Sequence, residues 1–235
     1  MRIAAHNEAL NAELLGNFLE EAVNATSGLH NVSRAVRTVM DLVLMELMLY
    51  FTAICVRERQ ETVLTDVTDR TYFVHRNGIQ RTDGFGTVYN VSDEFPRAYN
   101  RIKGREYKAP IAEWLQERAT LATVTFTQLQ EADVLLTIKS RNQRLDSRKS
   151  STRPYVSVWY HPTALYWGRH GQFELFVRFT SRQVMNRWLP FFGASSAAEL
   201  QTAIQEALGD SYHQMTEGWG TLKDDLNIDR FGTMN

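Results

Sequence analysis

Residues Thr38–Val56 read TVMDLVLMELMLYFTAICV, nineteen residues of which only Asp41 and Glu46 are charged. Arg34, Arg37, Arg57 and Arg59 flank the run. Coiled as a helix, it is apolar on nearly every side. A helix without a polar face has to be covered all round, by its own chain, by a neighbouring subunit or by lipid. The length is close to that of a membrane span. Each acid at a bilayer centre costs roughly 2.5–3.5 kcal/mol, so two of them argue against lipid. The expectation is a helix over about residues 33–58 that is central to a core or partly buried by another subunit, with no membrane partner.

Everything else has to build around that helix. Leu10, Leu14, Phe18 and Ala22 lie four apart, with Leu15, Leu19 and Val23 beside them, so a second amphipathic helix is expected over about residues 7–23. Together they form an N-terminal helical pair spanning 1–60.

From residue 61 the pattern turns to strands. Thr71–Arg76, Asn77-Gly78 and Ile79–Arg81 read as a hairpin, because Asn-Gly supplies the positive φ angles of a type I′ turn. Phe85–Val91 reads as a further strand. Short helices are expected over about 93–103, stopped by Gly104, and from Pro110 to about Ala119. Ala122, Val124 and Phe126 then alternate with threonines, and Val134, Leu136 and Ile138 alternate with Leu135 and Thr137. Tyr155–Tyr160 and Phe173–Phe179 continue the alternation. The four segments predict a central antiparallel β-meander with one buried face.

The end is helical. Val184, Met185, Trp188 and Leu189 share a helix face that Pro190 should stop, and Ser196-Ala-Ala-Glu199 is a capping box for a helix ending at Gly209. The fold class expected is α+β in a single domain of 1–235, with 1–60 helical, 61–180 mainly β with short helices, and 181–235 helical with an acidic tail.

Between two of the expected strands lies KSRNQRLDSRKSSTR, residues 139–153. Lys139, Arg141, Arg144, Arg148, Lys149 and Arg153 face the single acid Asp146, a net of +5. Too polar for core, the stretch is expected to project as a basic hairpin arm that touches something anionic. Residues 194–235 have the opposite balance, seven acids against Lys223 and Arg230, a net of −5.

Chemistry is sparse. The chain has the apolar and charged content of an ordinary globular protein, 43% and 23%, and a net charge of −1, so any pull toward nucleic acid is local. A single cysteine, Cys55, excludes an intramolecular disulfide and a cysteine zinc site. The N-terminal MRIAAHNEAL lacks the apolar core of a signal peptide, which suggests the cytoplasm, a host cytoplasm or a virion. No P-loop, GxSxG or HExxH occurs. Asp133 and Lys139 hint at an acid-x-Lys nuclease, but Thr137 stands where the second acid belongs. No catalytic residue, metal, cofactor or small-molecule substrate is expected.

Two functions compete. In the first, the chain is a non-enzymatic assembly subunit of a larger oligomeric particle, such as a phage connector, neck or tail-end ring. Its basic arm meets an acidic segment carrying Glu217, Asp224, Asp225 and Asp229 on a neighbouring copy or another structural protein. In the second, the same basic residues contact DNA or RNA phosphates while Trp159 and Trp167 stack on bases.

Overall fold

The structure is a computed structural model that describes residues 11–27, 34–76, 79–88, 94–119, 123–149, 156–164, 172–209 and 226–234. Nine α-helices are present among them: α1 (Ala12–Ser27), α2 (Arg34–Arg57), α3 (Glu61–Asp69), α4 (Glu94–Lys103), α5 (Pro110–Ala119), α6 (Phe126–Lys149), α7 (Glu174–Arg178), α8 (Arg182–Phe192) and α9 (Ala197–Gly209). A two-stranded antiparallel sheet, β1 (Tyr72–Arg76) and β2 (Ile79–Asp83), lies between α3 and α4. The class is α+β in the coarse sense, with helices dominating.

The N-terminal helical pair forms, α1 over Ala12–Ser27 where the periodicity places it and α2 over Arg34–Arg57 on the long apolar run. Helix α2 packs against α1, α3, α4 and α6. Leu42, Met45, Met48, Leu49, Phe51 and Cys55 are buried along it. Its acids are covered too. Glu46 accepts a hydrogen bond from Arg118 Nε on α5 at 2.6 Å, an ion pair across two helices. One side of the helix is left uncovered, at Val36, Val39, Met40 and Val43.

The hairpin lies where Asn77-Gly78 places it, with Tyr72 opposite Asp83 and Arg76 opposite Ile79. The turn itself is outside the described residues. The outer edge of β1 needs hydrogen-bond partners, since an edge strand presents unpaired N–H and C=O groups. Helix α1 supplies them from side chains. Asn24 Nδ2 donates to Phe73 O and Asn24 Oδ1 accepts from the His75 N–H, both at 2.8 Å. Glu20 Oε2 accepts from the Phe73 N–H at 2.8 Å.

The expected meander does not form. Residues 61–69 are helix α3, whose buried Leu64, Val67 and Thr68 follow a helical spacing. Phe85–Val88 is a turn of 3₁₀ helix in place of a strand. Ala122 lies outside the described residues, but Phe126 and Val134–Ile138 belong to α6, and Glu174–Arg178 is the short helix α7. Alternation misled here because Glu131–Ser140 are buried at every position. When a helix is covered all round, apolar and polar residues no longer sort by face, so period 2 and period 3.6 cannot be told apart. A local signal did mark the helix start. Thr125-Phe-Thr-Gln128 is a capping box: the Gln128 N–H donates to Thr125 Oγ1 at 3.3 Å, and the Thr125 N–H donates to Gln128 Oε1 at 2.9 Å.

Of the expected strands after α6, residues 156–160 form no helix, and among the described residues they pair with no strand. Their backbone donors go to side chains instead. The Ser157 N–H donates to Asp83 Oδ1 at 2.7 Å and the Trp159 N–H to Ser140 Oγ at 3.1 Å. Gly86 lets this segment lie close, since a Cβ there would meet the Ser157 carbonyl oxygen at 2.2 Å.

At the C-terminal end, Pro190 does not stop α8. The helix continues to Phe192 and closes at Gly193, whose φ of +69° is left-handed. The capping box of α9 forms with a shift. The Glu199 N–H donates to Ser196 Oγ at 3.2 Å, while the Glu199 carboxylate accepts from the N–H and hydroxyl of Ser195, both at 2.7 Å. Residues 226–234 are no solvated tail. Leu226, Ile228 and Phe231 are buried, and Phe231 meets Phe179 edge-on at 5.3 Å. Met234 bridges to Ser181 through the Arg182 and Met234 N–H groups, both at 2.9 Å.

Candidate functional site

The basic segment is the second half of α6, not a hairpin arm. Arg153 lies outside the described residues, as do Trp167, Glu217, Asp224 and Asp225. Asp229 is exposed in a 3₁₀ turn over Ile228–Arg230, with Ile228 beneath it in the core.

The six basic residues therefore part company. Lys139 points inward and is 4% exposed. Its ammonium pairs with Asp69 Oδ1 at 2.6 Å, donates to the Phe191 carbonyl, and lies 5.2 Å from the Phe191 ring centre. Burial lowers its pKa, and the Asp69 charge opposes that shift. It ties α6 to α3 and α8, so it is a core contact and not part of a basic surface.

Arg141, Arg144 and Arg148 come together. They stand at i, i+3 and i+7, one side of the helix. With Leu145, Val158, Glu206 and Ala207 they line an open groove of about 270 Å³. Arg141 is held in place by its Nη1 donating to the Ala207 carbonyl at 2.9 Å, at the end of α9. Lys149 sits at the rim, 3.6 Å from the Glu206 carboxylate, with both side chains largely exposed. A guanidinium presents planar, forked donors that match carboxylate and phosphate oxygens.

Trp159 is not beside this groove as a stacking surface. It is fully buried, with its indole Nε1–H donating to Asp133 Oδ1 at 2.7 Å and its ring near Phe85 at 6.3 Å. Base stacking on Trp159 is therefore excluded by its burial. Asp133 Oδ2 also accepts from the Thr163 N–H at 2.8 Å and hydroxyl at 2.6 Å. The acid that hinted at a nuclease is a structural hub. It joins α6 to the 159–163 segment, and Lys139 faces a different partner.

Sequence reasoning missed a second hub, Asp83 at the end of β2. It is 3% exposed and accepts from the Ser157 N–H, the Ser157 hydroxyl at 2.6 Å, the Gly84 N–H at 2.8 Å and Arg81 at 3.1 Å. Asp83-Gly84 at a strand end was a turn signal that could have drawn attention to it. Near it, Asp69, Lys139, Gln143, Asp146 and Phe192 line a larger cleft of about 470 Å³. Its charges are mostly matched within the fold: Asp69 by Lys139 and Asp83 by Arg81.

Other titratable groups are displaced by burial. Glu131 is buried in α6, where desolvation pushes its carboxyl up to about 7 despite the Leu175 N–H it accepts at 2.6 Å. Burial first, and the Arg141 charge second, lower His161 to about 4. Burial raises the Cys55 thiol, which keeps it neutral. Among the described residues no group of three or more His, Cys, Asp or Glu is placed to hold a metal.

The remaining surface feature is on α2. Val36, Val39, Met40 and Val43 are 46%, 56%, 38% and 47% exposed, and Leu47 and Tyr50 continue their line, half-buried. Leu14 and Phe18 on α1 are exposed as well. No protein-family model, curated protein or solved structure matches the chain.

Proposed function

We propose that this chain is a non-enzymatic subunit that assembles with copies of itself, and that α2 makes the contact. The observation that carries this reading is the uncovered apolar line Val36, Val39, Met40 and Val43 on a helix whose other sides are buried. Soluble monomers rarely expose a contiguous apolar patch of this kind. Its spacing of three and four residues, continued by Leu47 and Tyr50, is the seam one helix offers another in knobs-into-holes packing. A second copy of the same helix is the matching occupant, related by a two-fold axis. Such a unit would serve as a structural component of a larger particle, a virion connector, neck or tail-end ring being one instance.

A lipid surface is the competing occupant. The helix is long and apolar enough to cross a bilayer, but 72% of its most apolar 18-residue window is buried inside the fold, which leaves one narrow stripe for anything outside.

The test is mass in solution by light scattering, for the native chain and for a Val39→Glu, Val43→Glu double variant. The native chain should be a discrete dimer or higher oligomer at micromolar concentration. The variant should be a monomer with unchanged helical circular dichroism. A native chain that is monomeric throughout, or that partitions onto lipid vesicles through this stripe, would refute self-assembly.

A further inference from the structure

The apolar line on α2 is too small to hold two molecules together by itself. A stable interface buries about 800 Å² on each partner, and a little over half of that, about 450 Å², is apolar. A Val or Met side chain presents about 100 Å² when fully exposed. Val36, Val39, Met40 and Val43 are each about half exposed, so together they offer about 200 Å². If a second copy covers α2, the contact has to reach onto a neighbouring element.

Helix α1 is that element. It packs against α2 and is joined to it by the six residues 28–33, a connection short enough that the two helices run antiparallel. Phe18 is nine residues before the end of α1 at Ser27, and Val43 is nine after the start of α2 at Arg34, so the two stand level along the pair. Leu14 and Leu47, thirteen residues from the same two ends, are level in the same way. Leu14 and Phe18 are 68% and 51% exposed and lie four apart on one face of α1, which exposed Ala25 continues. That face is turned away from the hairpin, since Phe18 stands about 160° round the helix from Glu20, whose carboxylate holds β1. Their two side chains add about 170 Å² of apolar surface. With half-buried Leu47 and Tyr50, the total approaches what a stable interface needs. Other exposed apolar residues do not extend the line. Phe73 and Ile79 lie on the hairpin, which α1 meets with its other side, and Ile102, Tyr160, Val177 and Met234 each stand alone, which is ordinary for a soluble surface.

We infer that α1 is part of the self-association face: Leu14 and Phe18 of one copy pack, together with the α2 line, against the same two helices of a second copy, four helices about a two-fold axis. This rests on the self-assembly proposed above and adds the helix that makes the contact large enough.

Hydroxyl-radical footprinting of the native chain, above and below the concentration at which light scattering shows it to associate, reads each side chain without altering the sequence. Leu14, Phe18 and Met40 should be protected in the associated form, and Ile102 should be oxidised alike in both. A Leu14→Ser, Phe18→Ser double variant should weaken association by about a hundredfold or more, because both residues enter a two-fold contact twice. Both side chains are more than half exposed, so its helical circular dichroism should be unchanged. Protection of Met40 with Phe18 oxidised alike in both forms, or a double variant that associates as tightly as the native chain, overturns the inference and leaves the α2 contact standing. A chain that stays monomeric at every concentration overturns both.

Discussion

Helices α2 and α6 are each 24 residues long and pack against one another at the centre of the fold. They reach the core by opposite routes. Helix α2 is apolar nearly throughout and still leaves Val36, Val39, Met40 and Val43 in solvent. Helix α6 carries eight charged residues and still buries twelve consecutive positions, Leu129 to Ser140. What separates them is the supply of partners. Around α6, each buried polar group noted above meets a complementary one: Asp133 meets Trp159 and Thr163, Glu131 meets the Leu175 N–H, and Lys139 meets Asp69. A buried polar group is tolerated when hydrogen-bonded, and an exposed apolar one costs little when nothing is there to cover it. Burial along these helices is set by what lies opposite, so hydropathy alone does not say which positions are covered.

The contrast breaks most easily at Asp133. Asp133→Ala should destabilise the protein by about 3 kcal/mol or more, because it leaves the Trp159 indole and both Thr163 donors buried without their acceptor. Chemical denaturation measures this. A loss under about 1 kcal/mol would show that the polar centre of α6 is not held by its partners.

Glu131 sharpens the same point through pH. Its folded carboxyl titrates near 7, against about 4.5 ordinarily. Between those values the native state keeps a proton that the unfolded chain has released, so stability falls as pH rises from about 4.5 to 7 and then levels. Glu131→Gln keeps an acceptor for the Leu175 N–H and removes the titration. The variant should match the native protein near pH 4 and exceed it by about 3 kcal/mol at pH 8. His161, depressed to about 4, adds an opposite slope to both proteins and cancels in their difference. Parallel pH profiles for the two proteins would mean that Glu131 is solvated.

The smallest effect is expected on α2. Val39→Ser in protein dilute enough to be monomeric should shift stability by no more than about 0.5 kcal/mol, since the side chain is more than half exposed. A larger loss would place Val39 inside the fold and remove the stripe on which self-assembly rests.

The candidate site was half legible. The charge run pointed to Arg141, Arg144 and Arg148, which do share a groove, but counted Lys139 with them. Six like charges in a short stretch look equivalent until a fold gives each a direction, and the inward partner of Lys139, Asp69, is seventy residues away. Trp159 likewise read as an aromatic beside a basic patch. Its burial depends on Asp133 and Phe85, neither of which is near it in the chain. Glu217, Asp224 and Asp225 lie outside the described residues, and the self-assembly proposed above rests on α2 in place of an arm and a tail.

What the sequence determined by itself was local: the N-terminal helical pair, the hairpin at Asn77-Gly78, the short helices stopped by Gly104 and opened by Pro110, and the capped helix over Ala197–Gly209. Each rests on periodicity with one exposed face, on the length of an unbroken apolar run in the case of α2, or on a turn or cap residue whose backbone preference acts at short range. What only the tertiary structure decided was the state of the described residues between 123 and 179. There Leu129–Ser140 are buried at every position and the 157–163 segment is held by distant carboxylates, so the polar pattern follows its partners and not its own period. Asp83 holds a segment some seventy residues away in place of a strand ladder, and Asp133 turns an acid within an apparent strand into the centre of a helical core.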